Sequence, residues 1–164
     1  MSTQPRLEWL RWWWPALVWA LLVTCFSTDP FSAGNTSKII IPFLHWLLPG
    51  AKWSTLAWLH HLIRKCAHVA EYFVLGLLLV RGIRGERMGW RLEWSIAALA
   101  IAAGWAGLDE LHQAFVPSRG AAMTDVLIDA CGAAAGQVLF ALVTRRHTRG
   151  SGRDPVLDTP NRIV

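Results

Sequence analysis

The sequence predicts an all-α protein: four membrane-spanning helices in a bundle, with an interfacial or re-entrant segment between spans one and two. Three observations carry this. Hydrophobic residues make up 54% of the chain and charged residues only 16%, against about 25% charged in an average soluble domain. The apolar residues gather into runs near the ~20 residues that a bilayer crossing needs. The 11 tryptophans suit a protein with two membrane–water interfaces, where Trp concentrates.

A length of 164 residues fits one domain. The net charge of +5 would suit nucleic acid. The arginines flank apolar runs, however, as cytoplasmic edges of spans do, so nucleic acid is excluded as a partner. Cys25, Cys66 and Cys131 lie within apolar runs and are odd in number, which gives no disulfide framework.

Residues 1–11 form a polar flank with Arg6 and Arg11. The first span, about 10–28, carries Trp12–Trp14 where an interface belongs. Its basic flank and apolar core also fit a signal peptide, but no small-x-small cleavage pattern follows, so a retained span is expected. Asp29-Pro30, Gly34-Asn35, Pro42 and Pro49-Gly50 read as breakers, and 39–48 is too short to cross. The second span, 54–82, has Ser54 as an N-cap candidate. Arg81, Arg84, Arg87 and Arg91 precede the third span, 91–116, which Pro117 ends. Thr124 is positioned to cap the fourth, 124–144. A transmembrane domain over 12–145 is thus expected, followed by a cytoplasmic, disordered tail over 146–164. The basic segment 81–91 and the basic C-terminal flank place both termini on the cytoplasmic side.

Charges within spans cost roughly 2.5–3.5 kcal/mol each and mark sites. On a helical wheel His61, Arg64, Lys65, His68, Glu71 and Tyr72 share an arc of roughly 120° on span two. Asp109, His112 and Gln113 share about 100° on span three, with Glu110 just outside. Asp125, Asp129, Gly132 and Gly136 fall within about 60° on span four. All belong to the outward half, so one pocket is expected, with Gly132 and Gly136 allowing close helix approach. Lys65–Glu71 and Arg119–Asp125 are alternatively structural ion pairs.

Lys65-x-x-His68-x-x-x-Tyr72, Asp109-Glu110-x-His112-Gln113-x-Phe115-Val116-Pro117-x-Arg119, Asp125-Val126 and Gly132-x-x-x-Gly136 together resemble the VanZ-like family, small bacterial multi-pass membrane proteins. The resemblance covers roughly 10–145. It implies a bacterial inner-membrane location, and the family's namesake is linked to resistance to the lipid-bearing glycopeptide teicoplanin. Where the family pattern commonly has Asn, this chain has Asp129.

The first functional expectation is an outward pocket that binds or handles an amphiphilic envelope lipid or lipoglycopeptide. Lys65, Arg64 and Arg119 would hold phosphate or carboxylate; Glu71, Tyr72, Gln113, Asp125 and Asp129 would complete the polar wall. The alternative is a membrane-embedded hydrolase or transferase. Asp109 or Glu110 would then be the base, His68 or His112 the acid, and Arg119 the oxyanion stabiliser. No cofactor is expected. His68, Asp109 and His112 are metal-ligand types, but without an HExxH-like motif no metal is assigned. The third alternative is a structural role, with charges fixing helix register.

Overall fold

The computed structural model describes residues 5–115 and 123–150, and among these the regular elements are all helical. In chain order they are α1 (Pro5–Phe26), a 3-10 turn (Asp29–Phe31), α2 (Ala33–Leu47), α3 (Trp53–Arg84), α4 (Leu92–Ala114) and α5 (Met123–Gly150). The central element is α3, which packs against α1, α2, α4 and α5.

Small side chains bring the helices together. Buried Ala16, Ala20 and Val23 recur at helical spacing on α1, as do Ala98, Ala102 and Ala106 on α4. The closest approach is between α3 and α5. A Cβ on Gly132 would lie 2.5 Å from the Val69 carbonyl oxygen, and one on Gly136 2.5 Å from that of Phe73. From the α3 side, a Cβ on Gly76 would lie 2.7 Å from the Ala133 carbonyl oxygen. Only glycine leaves room for backbone to meet backbone there. Gln137 bridges the same seam, its Nε2 donating to the Gly76 carbonyl at 2.7 Å. Trp19 ties α1 to α3 by donating to the Glu71 carbonyl at 2.8 Å.

Several expectations change. Residues 33–47 form one helix, with Pro42 and Gly34-Asn35 inside it. Ser32 overrides the breaker signals by capping that helix, accepting from the Asn35 amide at 3.4 Å. Pro42 removes one N–H from the ladder without ending it. The cap residue of α3 is Lys52, with no side-chain cap bond, so Ser54 is already within the helix. Thr124 likewise lies inside the first turn of α5, and α5 runs to Gly150, past the expected end at 144. Beyond Gly150 the expected tail lies outside the described residues.

Among the described residues, α3 and α5 are each long and apolar enough to cross a membrane. Residues 8–26 and 29–47 pass only as a pair, bent by 71°, so the count is two, or up to three if that pair is one span. The expected four is therefore not reached on length and composition. In α4, 23 residues long, Glu93, Asp109 and Glu110 dilute the apolar run.

Candidate functional site

The polar residues of four helices meet at the end of the bundle where α1 stops and α3 begins. Asp109 is held by two side chains. The Ser27 hydroxyl donates to its Oδ2, as does Gln113 Nε2 at 2.9 Å. Gln113 Nε2 also lies 3.5 Å from Ser27 Oγ, which closes a small triangle. All three side chains are buried. A carboxylate in such a place needs charge-assisted hydrogen bonds to offset its lost hydration.

A second acid, Asp129, is only 1% exposed and faces His68, with Oδ1 3.3 Å from Nδ1. That separation suits an ion pair, but neither atom has an aligned hydrogen bond. Lys65 pairs with Asp125 across the α3–α5 seam. The expected Lys65–Glu71 pair gives way to this one, because Lys65 belongs to the α3 face turned to α5 while Glu71 lines the cleft on the other side. Arg119, proposed as partner of Asp125, lies outside the described residues, as does Pro117.

Tyr72 is fully buried, and among the described residues its hydroxyl has no hydrogen-bond partner. It sits in the field of four carboxylates, Asp129, Asp109, Glu71 and Glu110. Asp109 Oδ1 and Asp129 Oδ1 likewise have no hydrogen-bond partner among the described residues. Each such buried group costs about 1–3 kcal/mol, and groups of them mark sites more than cores.

Beside this chamber lies an open cleft of about 200 Å³, between the α1–α2 bend and α3. Phe26, Phe31, Ile40, Ile63 and Ala67 supply apolar surface; Ser27, Thr36, Arg64, His68 and Glu71 supply polar groups. Arg64 Nη1 donates to the Phe31 carbonyl at 2.8 Å and stands 3.4 Å from Thr36 Oγ1. Thr36 Oγ1 lies 3.1 Å from His60 Nε2. These contacts hold α2 against α3. Two cleft residues reach the buried acids behind it: Ser27 touches Asp109, and His68 touches Asp129.

The sequence-predicted residues therefore divide. Arg64, His68 and Glu71 line the cleft; Tyr72, Asp109, Gln113 and Asp129 form the buried chamber; Lys65 and Asp125 close the seam. Glu110 turns inward and is buried, while His112 is exposed. The α4 stripe Ala98–Ala102–Ala106 runs on into Asp109, Glu110 and Gln113, which rotates His112 out of the site. His61 is exposed as well. Exposed His45 stacks on Trp53, ring centroids 5.2 Å apart. Among the described residues, no three His, Cys, Asp or Glu side chains converge as a metal site.

Ser27 and Thr36 were not legible as site residues. Ser27 ends an apolar run with no local motif, and its acid is 82 positions away. Thr36 falls within a segment that reads as a loop.

A family model described as VanZ/LLP1 matches residues 12–144. No curated protein and no solved structure matches the chain.

Proposed function

The chain belongs to the VanZ/LLP1 family, and on that premise we propose that it is an integral membrane protein whose cleft takes up an amphiphilic envelope molecule, a lipid or a lipoglycopeptide. The observation that carries this is the two-sided lining of the cleft: Phe26, Phe31 and Ile40 against Arg64, His68 and Glu71. An acyl chain suits the first set and a headgroup the second. We further propose that α1, α3, α4 and α5 all cross the membrane. The arginine-rich end, with Arg81, Arg84, Arg87 and Arg145, then lies in the cytoplasm and the cleft faces outward. Resistance to teicoplanin-type antibiotics is the physiological outcome that this reading favours.

The test is direct binding by the full chain in lipid nanodiscs. Ala67→Trp fills the cleft without touching the buried acids, and Arg64→Ala removes its principal cation. Loss of lipoglycopeptide binding in both folded variants is expected; undiminished binding in both sinks the proposal.

A catalytic reading has one observation in its favour. Ser27 lines the cleft, donates to Asp109, and Asp109 is held by Gln113. That is a nucleophile, base and orienting group in sequence. A hydrolase or transferase acting on lipid esters would be labelled at Ser27 by a fluorophosphonate, and Ser27→Ala would abolish labelling. A wild-type protein that stays unlabelled removes this reading.

A further inference from the structure

A second pocket, about 420 Å³, opens at the opposite end of the bundle, between the start of α1 and the end of α3. Trp9, Trp12 and Trp13 form one wall; Arg84 and Arg87 stand on the other, with Glu86 as the one carboxylate. Trp13 lies flat on Gly82, 3.2 Å from where a Cβ would be, which fixes the wall in place.

The arginines here are held by aromatic rings more than by acids. The Trp12 ring carries two guanidiniums, Arg11 at 5.8 Å and Arg81 at 5.1 Å. Arg84 lies over Phe140 at 5.4 Å. Among the described residues none of Arg11, Arg81, Arg84 and Arg87 pairs with a carboxylate, whereas Arg91 has Glu93 at 3.0 Å. Arg84 Nε is buried and has no hydrogen-bond partner among the described residues. Arg87 donates to the Ile83 and Arg84 carbonyls, so the negative end of the α3 dipole is already offset. What remains is positive charge that no described carboxylate pairs, beside an indole wall; with the bundle oriented as proposed above, an anionic headgroup there both pairs the cations and lays its glycerol and upper chains on tryptophan.

We propose that this pocket binds the phosphate headgroup of an anionic phospholipid, with Arg84 as the main phosphate ligand and Trp9, Trp12 and Trp13 as the lipid-facing wall. The site is separate from the cleft and does not depend on what the cleft binds.

The full chain in detergent is titrated with phosphatidylglycerol, phosphatidylethanolamine or inorganic phosphate, and adducts are counted by native mass spectrometry. Phosphatidylglycerol is expected to bind at least ten-fold more tightly than phosphatidylethanolamine, and inorganic phosphate is expected not to displace it. Arg84→Gln should weaken phosphatidylglycerol binding at least five-fold; Arg91→Gln should leave it unchanged. Equal binding of the two lipids, displacement by free phosphate, or full retention in Arg84→Gln overturns the proposal. Should Arg84→Gln fail to fold, Trp9→Ala carries the test, because Trp9 is 56% exposed. Loss of the lipid supports the site, and wild-type retention overturns it.

Discussion

Asp129 on α5 meets His68 on α3 at 3.3 Å, in a place where Asp129 is 1% exposed. Removing one member of a buried pair strands the other, at a cost of about 3–5 kcal/mol. We predict that Asp129→Ala lowers stability in detergent by about 3 kcal/mol, and that the His68→Ala, Asp129→Ala double variant loses clearly less than the sum. Asp129→Asn, which keeps the side chain's shape and removes its charge, should be much milder. Thermal unfolding of the wild type, the two single alanine variants, the double variant and Asp129→Asn checks this; strict additivity would argue against the pair.

The Ser27–Asp109–Gln113 triangle gives the second prediction. Ser27→Ala leaves a buried carboxylate oxygen short of a donor, which costs about 1–3 kcal/mol. Gln113→Ala should cost a similar amount, and the two together should be non-additive because they share one acceptor. Replacing Asp109 by Asn in the same background should recover part of the loss, since the amide needs less compensation than the charge.

Glycine positions make a third, with an internal control. Gly132→Ala places a methyl 2.5 Å from a backbone carbonyl that cannot move alone, so α3 and α5 must separate. The expected loss is about 1–3 kcal/mol, as for overpacked cores. Gly104 on α4 has nothing within 4 Å of a new Cβ. Gly104→Ala should be neutral or stabilise by up to ~1 kcal/mol through helix propensity. If both substitutions behave alike, the α3–α5 seam is not the tight contact described.

A fourth concerns Arg64. Its bond to the Phe31 carbonyl is one of few ties between the α1–α2 bend and α3. Arg64→Ala should raise hydrogen exchange of the backbone amides in 31–40 while leaving those of α5 unchanged. Uniform acceleration across all helices would mean global destabilisation instead.

The all-helical class was legible because its signals are long, although the expected four spans are not reached on length and composition. An apolar run of the length of α3 admits few alternatives, and an arginine cluster marks its C-terminal end. The glycine seam was legible since Gly132 and Gly136 share a phase with Asp129. The α1–α2 region was not. Gly34, Asn35 and Pro42 each favour a break locally, and one capping serine with tertiary contacts to α3 outweighs them. The α4 wheel failed by rotation: an arc centred on Asp109 can be extended toward His112 or toward Glu110. The buried alanine stripe chooses Glu110, a signal present in the sequence but weaker to the eye than a histidine. The cleft itself was out of reach, because Asp29-Pro30 signals a break but not the 71° angle on which the cleft depends.

The Lys65–Asp125 pair also has a consequence in time. Its partners are 60 positions apart, and chains grow at about 5–20 residues per second. Lys65 and His68 therefore wait roughly 3–12 seconds for the acids of α5 to be synthesised. During that interval Lys65 and His68 lack the acids they meet in the folded chain. A nascent chain stalled before Asp125 should hold α3 shallow or exposed to water, and release of the stall should draw it to its final depth.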